Sequence, residues 1–511
     1  MNFIYQKGGF NVSDNIIKLN PNKIVAYLQK SPEEFTRKDI IKFIENNNIR
    51  MVNFRFTGGD GKLKTLNFVI TGKGQLDRIL STGERVDGSS LFSYIDASSS
   101  DLYVIPRYKT AFVNPFSSVP SVDILCSYYT NEGLPLPSAP EYIVRKAHKS
   151  LKETTGLTME AMAELEYYVL YDRQGLYPIV GQKGYQESAP FIKWEHIRCE
   201  AMDAIAQAGG KIKYGHAEVG NITGEKHDIE QHEIEFVPTS IEDAADQIVT
   251  AKWILRMIAN KYGVMVTFAP KILVGHAGSG LHIHTRFLKG GHSIMTDQNR
   301  LSDSARKTIA GYLSMAPSLT AFGNTIPTSY LRLVPKQEAP TNICWGDRNR
   351  SVLVRVPLGW LGVSNMIKDA NPGIEEEMID STDKQTVEFR CPDGSANIYH
   401  LMAGLAVAAR HGITMEDSLE TAEKLYVDVN IFSSEHKKIQ EKLPKLPASC
   451  WESAKKLVEQ RKIYEKDDVF TPTVIDGIEK TLKHYGDKDL NKNLYGMQDE
   501  IKELVDHYIN C

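Results

Sequence analysis

Two carboxylates stand two residues apart in a stretch that reads A-E-L-E-Y-Y-V-L, from Ala163 to Leu170. Its aromatic and β-branched residues predict a buried strand. Because side chains alternate along a strand, Glu164 and Glu166 should lie on the same face. Such a pair is often a solvated acidic face or two salt bridges, since neighbouring buried carboxylates repel each other. A bound cation would remove that repulsion, so the pair is a candidate metal site if further ligands converge on it.

Further ligand types follow in segments that could reach the same cavity. Glu218 stands in a predicted polar loop, H-A-E-V, and Glu233 shares one face of a predicted strand with other polar side chains. Later, a strand is interrupted by the glycine-rich run G-H-A-G-S-G and resumes with His282 and His284 on one face. A lone strand histidine is more often a core residue than a ligand. A pair after a glycine loop favours ligation when acids lie near.

Four arginines stand in apolar or proline-framed surroundings. Arg332 begins the segment R-L-V-P-K-Q-E-A-P, Arg350 lies in D-R-N-R-S, and Arg355 lies in the strand predicted after it. Arg390 shares a predicted strand face with Glu388 in V-E-F-R. A planar guanidinium binds carboxylate or phosphate through two hydrogen bonds, so these positions indicate a cavity built for anions.

Five carboxylates and one imidazole form the candidate metal-ligand set: Glu164, Glu166, Glu218, Glu233, Glu388 and His282. Hard oxygen ligands with a single nitrogen suit Mg²⁺ or Mn²⁺ better than zinc or copper. Arginines beside divalent metals and a glycine loop suit phosphoryl transfer from a nucleotide. Neither a Walker loop nor a kinase signature is present. The residues alone therefore predict a metal-dependent, nucleotide-using enzyme that acts on a small anion.

The amino-acid composition and net charge exclude several kinds of protein. The 511 residues suit two or three domains, and 42% hydrophobic residues suffice for a sizeable core. A formal net charge of −4 without a basic block argues against nucleic acid as a partner. Six cysteines without C-x-x-C spacing indicate reduced thiols. With neither a signal peptide nor an apolar run long enough for a bilayer, we expect a cytoplasmic protein without membrane contact.

The elements that position these residues fall into two parts. The polar residues up to about Pro32 are predicted to form an extension. They precede a helix from Thr36 to Asn46, a hairpin that ends at Ile70, and a strand from Leu102 to Ile105. Together these form a small mixed α/β unit of about one hundred residues.

The second part begins with a helix that opens at Pro140. The acidic strand follows, and then an amphipathic helix from Lys193 to Ala208. Thr239 and Glu242 make a capping box for a long helix that runs to Tyr262. The remaining residues are predominantly helical from about Leu401 on.

These motifs, in their order along the chain, resemble those of glutamine synthetases of the shorter bacterial and archaeal type. The likeness extends from about residue 36 to about 485 and rests on V-D-G-S-S, A-E-L-E-Y, H-A-E-V, E-Q-H-E-I, G-S-G-L-H-I-H, R-L-V-P-x-x-E-A-P, R-N-R-S and E-F-R-C-P-D. The resemblance implies an α+β fold. An N-terminal extension (1–35) would precede a small β-grasp domain (36–135). A catalytic domain (136–511) would follow, with a curved antiparallel sheet and a helical C-terminal part.

The resemblance also implies an activity and an assembly. The enzyme would be a glutamate–ammonia ligase that uses ATP and two or more Mg²⁺ or Mn²⁺ ions per subunit. Glutamate would be activated as γ-glutamyl phosphate, and ammonia would displace phosphate to give glutamine. Subunits would form a dodecamer of two stacked hexameric rings, with active sites between neighbours.

Carried over residue by residue, the resemblance implies the following roles. Metal would be held at one position by Glu166, Glu218 and Glu233, and at the other by Glu164, His282 and Glu388. Glutamate would contact Gly278, Arg332, Glu166 and His282. The phosphoryl group would be neutralised by Arg350, Arg355 and Arg390, with His284 near the nucleotide. Asp87 would bind ammonium in the adjacent subunit's site and take its proton, and Glu338 would close over the intermediate and exclude water.

Some positions depart from the family pattern. His276-Ala277 stands where Asp-Asn usually precedes Gly-Ser-Gly, and Gln385-Thr386 replaces residues that are often basic. The loop between Glu218 and Glu233 is longer than usual. Phe432 aligns with the tyrosine of the family's adenylylation site, so no adenylylation is expected.

Two other readings stay open. A γ-glutamyl-amine synthetase would keep the phosphoryl chemistry and use a polyamine or other amine as nucleophile, and A-G-S-G and W-G-D resemble that branch. Asp87, Ser90 and Glu338 favour ammonia instead. A catalytically silent homologue would need no metal ligands, yet all six are present.

Overall fold

The computed structural model describes residues 17–335, 339–359, 363–375 and 382–511. The N-terminal part contains α1 (Lys23–Leu28), α2 (Arg37–Asn46), β1 (Met51–Thr57), β2 (Leu63–Val69), α3 (Lys73–Thr82), β3 (Glu84–Asp87), α4 (Gly88–Leu91), β4 (Asp101–Pro106), β5 (Phe112–Val113) and β6 (Ser121–Tyr129).

The larger part that follows contains α5 (Pro140–Thr155), β7 (Thr158–Asp172), α6 (Glu195–Gln207), β8 (Ile212–Ala217), β9 (Ile222–Thr223), β10 (His227–Phe236), β11 (Thr239–Ser240), α7 (Ile241–Lys261), β12 (Met265–Thr267), β13 (Leu281–Lys289), β14 (His292–Ser293), β15 (Thr296–Asp297), β16 (Arg300–Leu301), α8 (Asp303–Gly323), α9 (Ser329–Arg332), β17 (Trp345–Asp347), β18 (Val354–Val356), α10 (Met366–Ala370), β19 (Val387–Phe389), α11 (Ile398–Thr414), α12 (Ser418–Lys424), α13 (Lys437–Lys442), α14 (Cys450–Glu459), α15 (Arg461–Glu465), α16 (Pro472–His484), α17 (Leu490–Asn493) and α18 (Gln498–His507).

The N-terminal part is built on a six-stranded sheet in the order β2-β1-β6-β4-β3, with β5 beside β6. Strands β1 and β2 form the predicted antiparallel hairpin, and β1 pairs with β6 in parallel. The predicted helix after Thr36 is present as α2, and the Thr36 hydroxyl accepts a hydrogen bond from the backbone N–H of Asp39. This arrangement is the β-grasp domain expected from the sequence.

Helix α1 lies within the stretch predicted as an extension, yet it contributes to the core of the β-grasp domain. Its Ile24 and Val25 are fully buried in that core, and the Asn22 side chain caps its first turn. This helix is only six residues long, and so short a segment shows too little periodicity to be predicted from sequence. The predicted domain boundaries themselves stay a prediction.

The larger part is built on an eleven-stranded curved sheet. Its main path runs β17-β18-β19-β13-β7-β10-β8, and neighbours on this path are antiparallel except β17 and β18. The long strand β7 lies in the middle and alternates as predicted. Ala161, Ala163 and Leu165 are fully buried in the hydrophobic core, while Glu164 and Glu166 lie on the opposite face. Helices α5, α7, α8 and α11 contribute many of the apolar residues of that core.

Three local predictions need correction. Helix α7 is capped by Ser240, whose hydroxyl accepts from the N–H of Asp243, and not by Thr239 with Glu242. Thr239 is instead paired with Ala161 in the sheet. His216 and Ala217 end strand β8 instead of lying in a loop, because β8 pairs with β10 up to that point. The prolines of the segment that follows Leu331 predict a loop, but Arg332 is the last residue of the short helix α9.

Among the described residues, no helix has the length and apolar character needed to cross a bilayer. All six cysteines are free thiols, as their spacing predicted.

Candidate functional site

A cavity of about 1580 Å³ lies over the polar face of the large sheet. Twelve of the residues predicted as site residues line it: Glu164, Glu166, Glu218, Glu233, Gly278, His282, His284, Arg332, Arg350, Arg355, Glu388 and Arg390. They come from β7, β10, β13, β18, β19 and the segments between strands. The sheet therefore brings together residues that are more than two hundred positions apart in the sequence.

Strand register explains why so many polar side chains meet on this face. Glu233 of β10 lies between Glu166 of β7 and His216 of β8, each directly opposite it. Because opposite residues in an antiparallel pair point to the same face, these three side chains form one row across the sheet. In the next row Glu164 lies opposite Glu235 on one side and opposite His282 on the other.

A third row contains Glu388 of β19, which lies opposite His284 of β13 and opposite Arg355 of β18. Arg355 NH1 donates to Glu388 Oε2 at 2.9 Å, and Arg390 Nε donates to Glu388 Oε1 at 3.0 Å. Burial and the charge of Glu164 act to raise the pKa of Glu388, but Arg390 and the histidines outweigh them and lower it. Glu388 is therefore an ionised carboxylate fixed by two guanidinium groups.

Glu164 lies between two imidazoles. Its Oε2 is 2.8 Å from His282 Nδ1, and its Oε1 is 2.9 Å from His284 Nε2. Burial acts to raise the pKa of Glu164, but its interactions with His284 and His282 hold it well below the usual value. Burial acts to lower the pKa of His284, and Glu164 outweighs it and raises the pKa.

Glu233 has the opposite electrostatic environment. Burial first, and then the charges of Glu164, Glu166 and Glu218, raise its pKa well above the usual value. A carboxylate whose negative neighbours push it toward the protonated form can be ionised if a cation is bound beside it. This end of the cavity therefore has an excess of negative charge, which a bound divalent metal would neutralise.

Two groups of side chains have the spacing of metal ligands. Glu164, His284 and Glu388 form one group, and His216, Glu218 and Glu233 form the other. In each group one ligand atom per residue lies within 4.8 Å of the others. Carboxylate oxygens with imidazole nitrogens suit hard or borderline divalent cations.

These groups differ from the predicted sets at one residue each. The geometry groups His284 with Glu164 and Glu388 where His282 was predicted, although His282 Nδ1 is also 3.6 Å from Glu388 Oε1. In the other group His216 appears where Glu166 was predicted. Glu166 Oε2 accepts hydrogen bonds from Gln231 Nε2 at 3.0 Å and from the N–H of Gly280 at 2.8 Å.

The glycine-rich loop between β12 and β13 is held by side chains from other segments. The N–H of Ala277 donates to Gln182 Oε1 at 2.7 Å, and the Ala277 carbonyl accepts from the Tyr168 hydroxyl at 2.8 Å. Gln231 Nε2 donates to the carbonyl of Gly278 at 2.9 Å. A Cβ on Gly278 would lie 2.7 Å from the Pro270 carbonyl oxygen, so only glycine permits this close approach.

Arg332 is buried beside this loop. Its NH1 donates to the carbonyls of Cys391 and Pro392 at 2.8 and 3.2 Å. Both carbonyls belong to the segment that directly follows strand β19. They therefore hold the Arg332 guanidinium beside the end of that strand. Arg350, in contrast, is exposed at the rim of the cavity.

Two predicted residues lie apart from the cavity or outside the described chain. Asp87 ends strand β3, is exposed and does not line the cavity. Its carboxylate accepts from the Ser90 hydroxyl at 2.6 Å and from the hydroxyl and N–H of Ser89, and these hydrogen bonds lower the pKa of Asp87. Glu338 lies outside the described residues.

Among the cavity-lining residues that were not predicted as site residues are Gln182, Tyr185, His216 and Gln231. Two of them had a usable signal. His216 stands two residues before Glu218 and would share its face if the strand continued, and Gln231 stands two residues before Glu233 on a predicted strand. Gln182 and Tyr185 belong to the irregular segment between β7 and α6, where no periodicity indicates orientation.

Comparison with known proteins agrees with this fold. Residues 48–131 match the family model described as glutamine synthetase, beta-Grasp domain, and residues 137–494 match the model described as glutamine synthetase, catalytic domain. The chain is 30% identical over 429 residues to the glutamine synthetase of Clostridium saccharobutylicum, covering 82% of this chain and 88% of that protein. It is 29% identical over 463 residues to that of Thermotoga maritima, covering 89% and 95%.

Solved structures show the same fold. Plasmodium falciparum glutamine synthetase superposes with a TM-score of 0.72 at 20% identity, covering 90% of this chain and 97% of that one. GmaS without ligand gives a TM-score of 0.68 at 17% identity, covering 88% and 96%.

Proposed function

The chain belongs to the glutamine synthetase family, and from that premise we propose that it ligates ammonia to the γ-carboxylate of glutamate. ATP would donate a phosphoryl group to give γ-glutamyl phosphate, and glutamine, ADP and phosphate would be the products. The observation that carries the proposal is the convergence of acids, histidines and arginines from neighbouring strands on one cavity. Phosphoryl transfer needs such groups because the protein acts mainly by positioning and by neutralising charge.

Divalent cations, Mg²⁺ or Mn²⁺, would be held at two positions on the acidic face. We assign Glu166, Glu218 and Glu233 to one and Glu164, His282 and Glu388 to the other. When bound, the cations would neutralise charge on the ATP phosphates. The raised pKa of Glu233 supports this proposal, because an acidic row without a counter-charge is costly to bury.

The chain's arginines would act on the transferring phosphoryl group. Arg350, Arg355 and Arg390 line one side of the cavity, and charge placed there stabilises negative charge as it develops. Gly278 and Arg332 would bind the amino and carboxylate ends of glutamate, and His284 would lie near the nucleotide. Glu338 would close over the γ-glutamyl phosphate and exclude water.

Asp87 would serve a neighbouring subunit. It is exposed and lies apart from the cavity of its own chain. Its lowered pKa keeps it ionised, so it can attract ammonium. Accepting the proton of ammonium is the role that the family resemblance implies for it. We therefore propose an oligomer, arranged as two stacked rings of six, in which Asp87 completes the site of the adjacent chain.

One observation favours a second candidate, a γ-glutamyl-amine synthetase. Asp347 and Asp428 are exposed residues that line the rim of the cavity. Carboxylates at the rim would attract a cationic amine chain whose reactive end reached the phosphorylated glutamate.

Phosphate release, measured with glutamate, ATP and Mg²⁺, separates the two candidates. Ammonium, putrescine, spermidine and ethanolamine are supplied in turn as nucleophile. Fastest turnover with ammonium is expected, and Asp87→Asn should abolish it while ATP binding stays near the wild-type value. Faster turnover with an amine would replace the first candidate by the second. No turnover with any nucleophile would point to another acid in place of glutamate or to a silent homologue.

A further inference from the structure

The imidazole of His216 lies at the acidic end of the cavity, and strand pairing fixes its position. His216 is directly opposite Glu233 in the antiparallel pair of β8 and β10. Glu218 follows two residues later, and all three side chains line the cavity. The His216 ring is stacked on Tyr214 with centroids 5.9 Å apart and meets the edge of Tyr185 at 5.4 Å. The ring therefore has a set orientation before anything binds.

Hydrogen bonding determines which ring nitrogen of His216 carries the proton. Nδ1 is 2.9 Å from the carbonyl oxygen of Ala217. A carbonyl oxygen only accepts, so Nδ1 must donate, and in the neutral ring Nε2 has a lone pair. Histidines that ligate metals characteristically donate their other N–H to a carbonyl or carboxylate in this way.

The lone pair of Nε2 faces another acceptor. Nε2 is 3.3 Å from Glu233 Oε1, and a ligand atom of Glu218 lies within 4.8 Å of both residues' ligand atoms. Two acceptors at this distance repel unless a proton or a metal cation lies between them. Two ligands at right angles on a cation with bonds of about 2.1 Å are about 3 Å apart, close to the observed spacing.

We propose that His216 is a ligand, through Nε2, of the cation bound by Glu218 and Glu233. This inference rests on the proposed function, because it concerns one of its two metal positions. It gives each position an imidazole nitrogen instead of leaving one position with carboxylates alone. Imidazole favours transition metals over Mg²⁺, so this position selects Mn²⁺ or a similar ion where both are present.

The first test asks whether an imidazole remains bound to the metal after the other cavity histidines are removed. Mn²⁺ is added to the full-length double variant His282→Gln/His284→Gln, and pulsed electron paramagnetic resonance records modulation from a bound imidazole nitrogen. We expect modulation in this variant and its loss when His216→Gln is added. A double variant that binds Mn²⁺ without imidazole modulation overturns the proposal, and this outcome does not depend on how His216→Gln folds.

The second test measures affinity. Calorimetric titration of the full chain with Mn²⁺ and with Mg²⁺ should show that His216→Gln weakens Mn²⁺ at one class of site by about ten-fold or more, with a smaller change for Mg²⁺. His227→Gln is the matched control, because His227 lies on β10, is largely exposed and pairs with Asp172. Unchanged Mn²⁺ affinities in His216→Gln overturn this inference alone. A wild-type chain that binds no Mn²⁺ overturns the proposed metal positions as well.

Discussion

Single residues at the site differ in how their charge is balanced. Glu388 has two arginines and Glu164 has two histidines, whereas burial and four other acids raise the pKa of Glu233. The carboxylates at the two ends of the cavity therefore differ in how much counter-charge the chain itself supplies. At one end the arginines and histidines of the chain balance much of the carboxylate charge, and the other end depends more strongly on a bound cation.

Metal should accordingly stabilise the folded chain. A cation that binds the folded acidic rows and not the unfolded chain raises the free energy of unfolding, by about 2.7 kcal/mol at one hundred times its Kd. Calorimetry with added Mn²⁺ should therefore show a higher Tm than with EDTA. An equal Tm under both conditions would contradict the assignment of these acids to metal positions.

Substitution of Arg390 or Arg350 should affect catalysis and ATP binding to different extents. Alanine at either position should lower kcat by roughly a hundred-fold, with a smaller change in the KM for ATP, because their charge matters most as phosphoryl transfer proceeds. Arg390 also fixes Glu388, whereas the exposed Arg350 side chain pairs with no carboxylate among the described residues.

Arg390→Ala should therefore weaken Mn²⁺ binding as well, and Arg350→Ala should not. Steady-state kinetics with a parallel metal titration makes the comparison. A variant with unchanged kcat and a raised KM for ATP would assign that arginine to nucleotide binding alone.

At the scale of elements, three other segments of the chain hold the glycine-rich loop in place. The loop has side-chain partners from the segment before α6, from β7 and from β10, through Gln182, Tyr168 and Gln231. Gln182 is itself fixed, since its amide donates to the Asn221 carbonyl at 2.8 Å. It therefore joins the loop to the segment that follows Glu218.

Gln182→Ala should loosen the loop over the substrate. Loss of one hydrogen bond is worth about 0.5–1.5 kcal/mol, so the KM for glutamate should rise about three- to ten-fold with a smaller change in kcat. Gln186→Ala is a matched control, because both residues have a φ of +57° and the Gln186 side chain is exposed. Equal kinetics for the two variants would show that the tether to Ala277 has no role in binding.

Sequence patterns predicted the individual strands and helices better than they predicted how these elements lie against one another. Alternation was enough to predict β7 and the hairpin, and the spacing of Glu164 and Glu166 was enough to place them on one face. Register was not predictable, because it depends on pairing between strands far apart in the chain. For that reason His216 was assigned to a loop, and its alignment with Glu233 became visible only in the folded sheet.

At the scale of the whole molecule, a largely buried ion pair joins the β-grasp domain to the catalytic domain. Arg107, after β4, donates through NH1 and NH2 to the two carboxylate oxygens of Asp246 on α7, at 2.6 and 2.9 Å. The Tyr399 hydroxyl of α11 donates to the same carboxylate at 2.7 Å. The pair thus fixes the β-grasp domain against two core helices.

Arg107→Ala should destabilise the chain strongly. It leaves the buried Asp246 without its cation, which costs about 3–5 kcal/mol of unfolding free energy. Arg85→Ala is the control, because Arg85 and Asp101 are 67% and 65% exposed, and its effect should be about 0–1 kcal/mol. Denaturant unfolding measures both, and similar losses would contradict the importance of the domain contact.

Glu141, at the start of α5, predicts a pH dependence. Burial raises its pKa from 4.5 to about 7, against the hydrogen bond from the Tyr128 N–H. Between these values only the unfolded chain is ionised at this residue, so its contribution to the free energy of unfolding falls as pH rises from 4.5 to about 7.

Glu141→Gln should therefore stabilise the chain relative to wild type at pH 8 more than at pH 5. Unfolding free energies of both proteins at the two pH values test this. A difference between the proteins that does not change with pH would contradict the raised pKa.

The central position of β7 has a consequence for how the chain folds. Glu166 and Gln231 are 65 residues apart in sequence, and Glu164 and His282 are 118 apart. Closing such long loops loses entropy before strand pairing compensates for it, so sheets of this kind form slowly. The acidic rows do not exist until those distant strands have met. We therefore expect refolding to regain secondary structure in helices first and metal affinity last, as a late and cooperative kinetic phase.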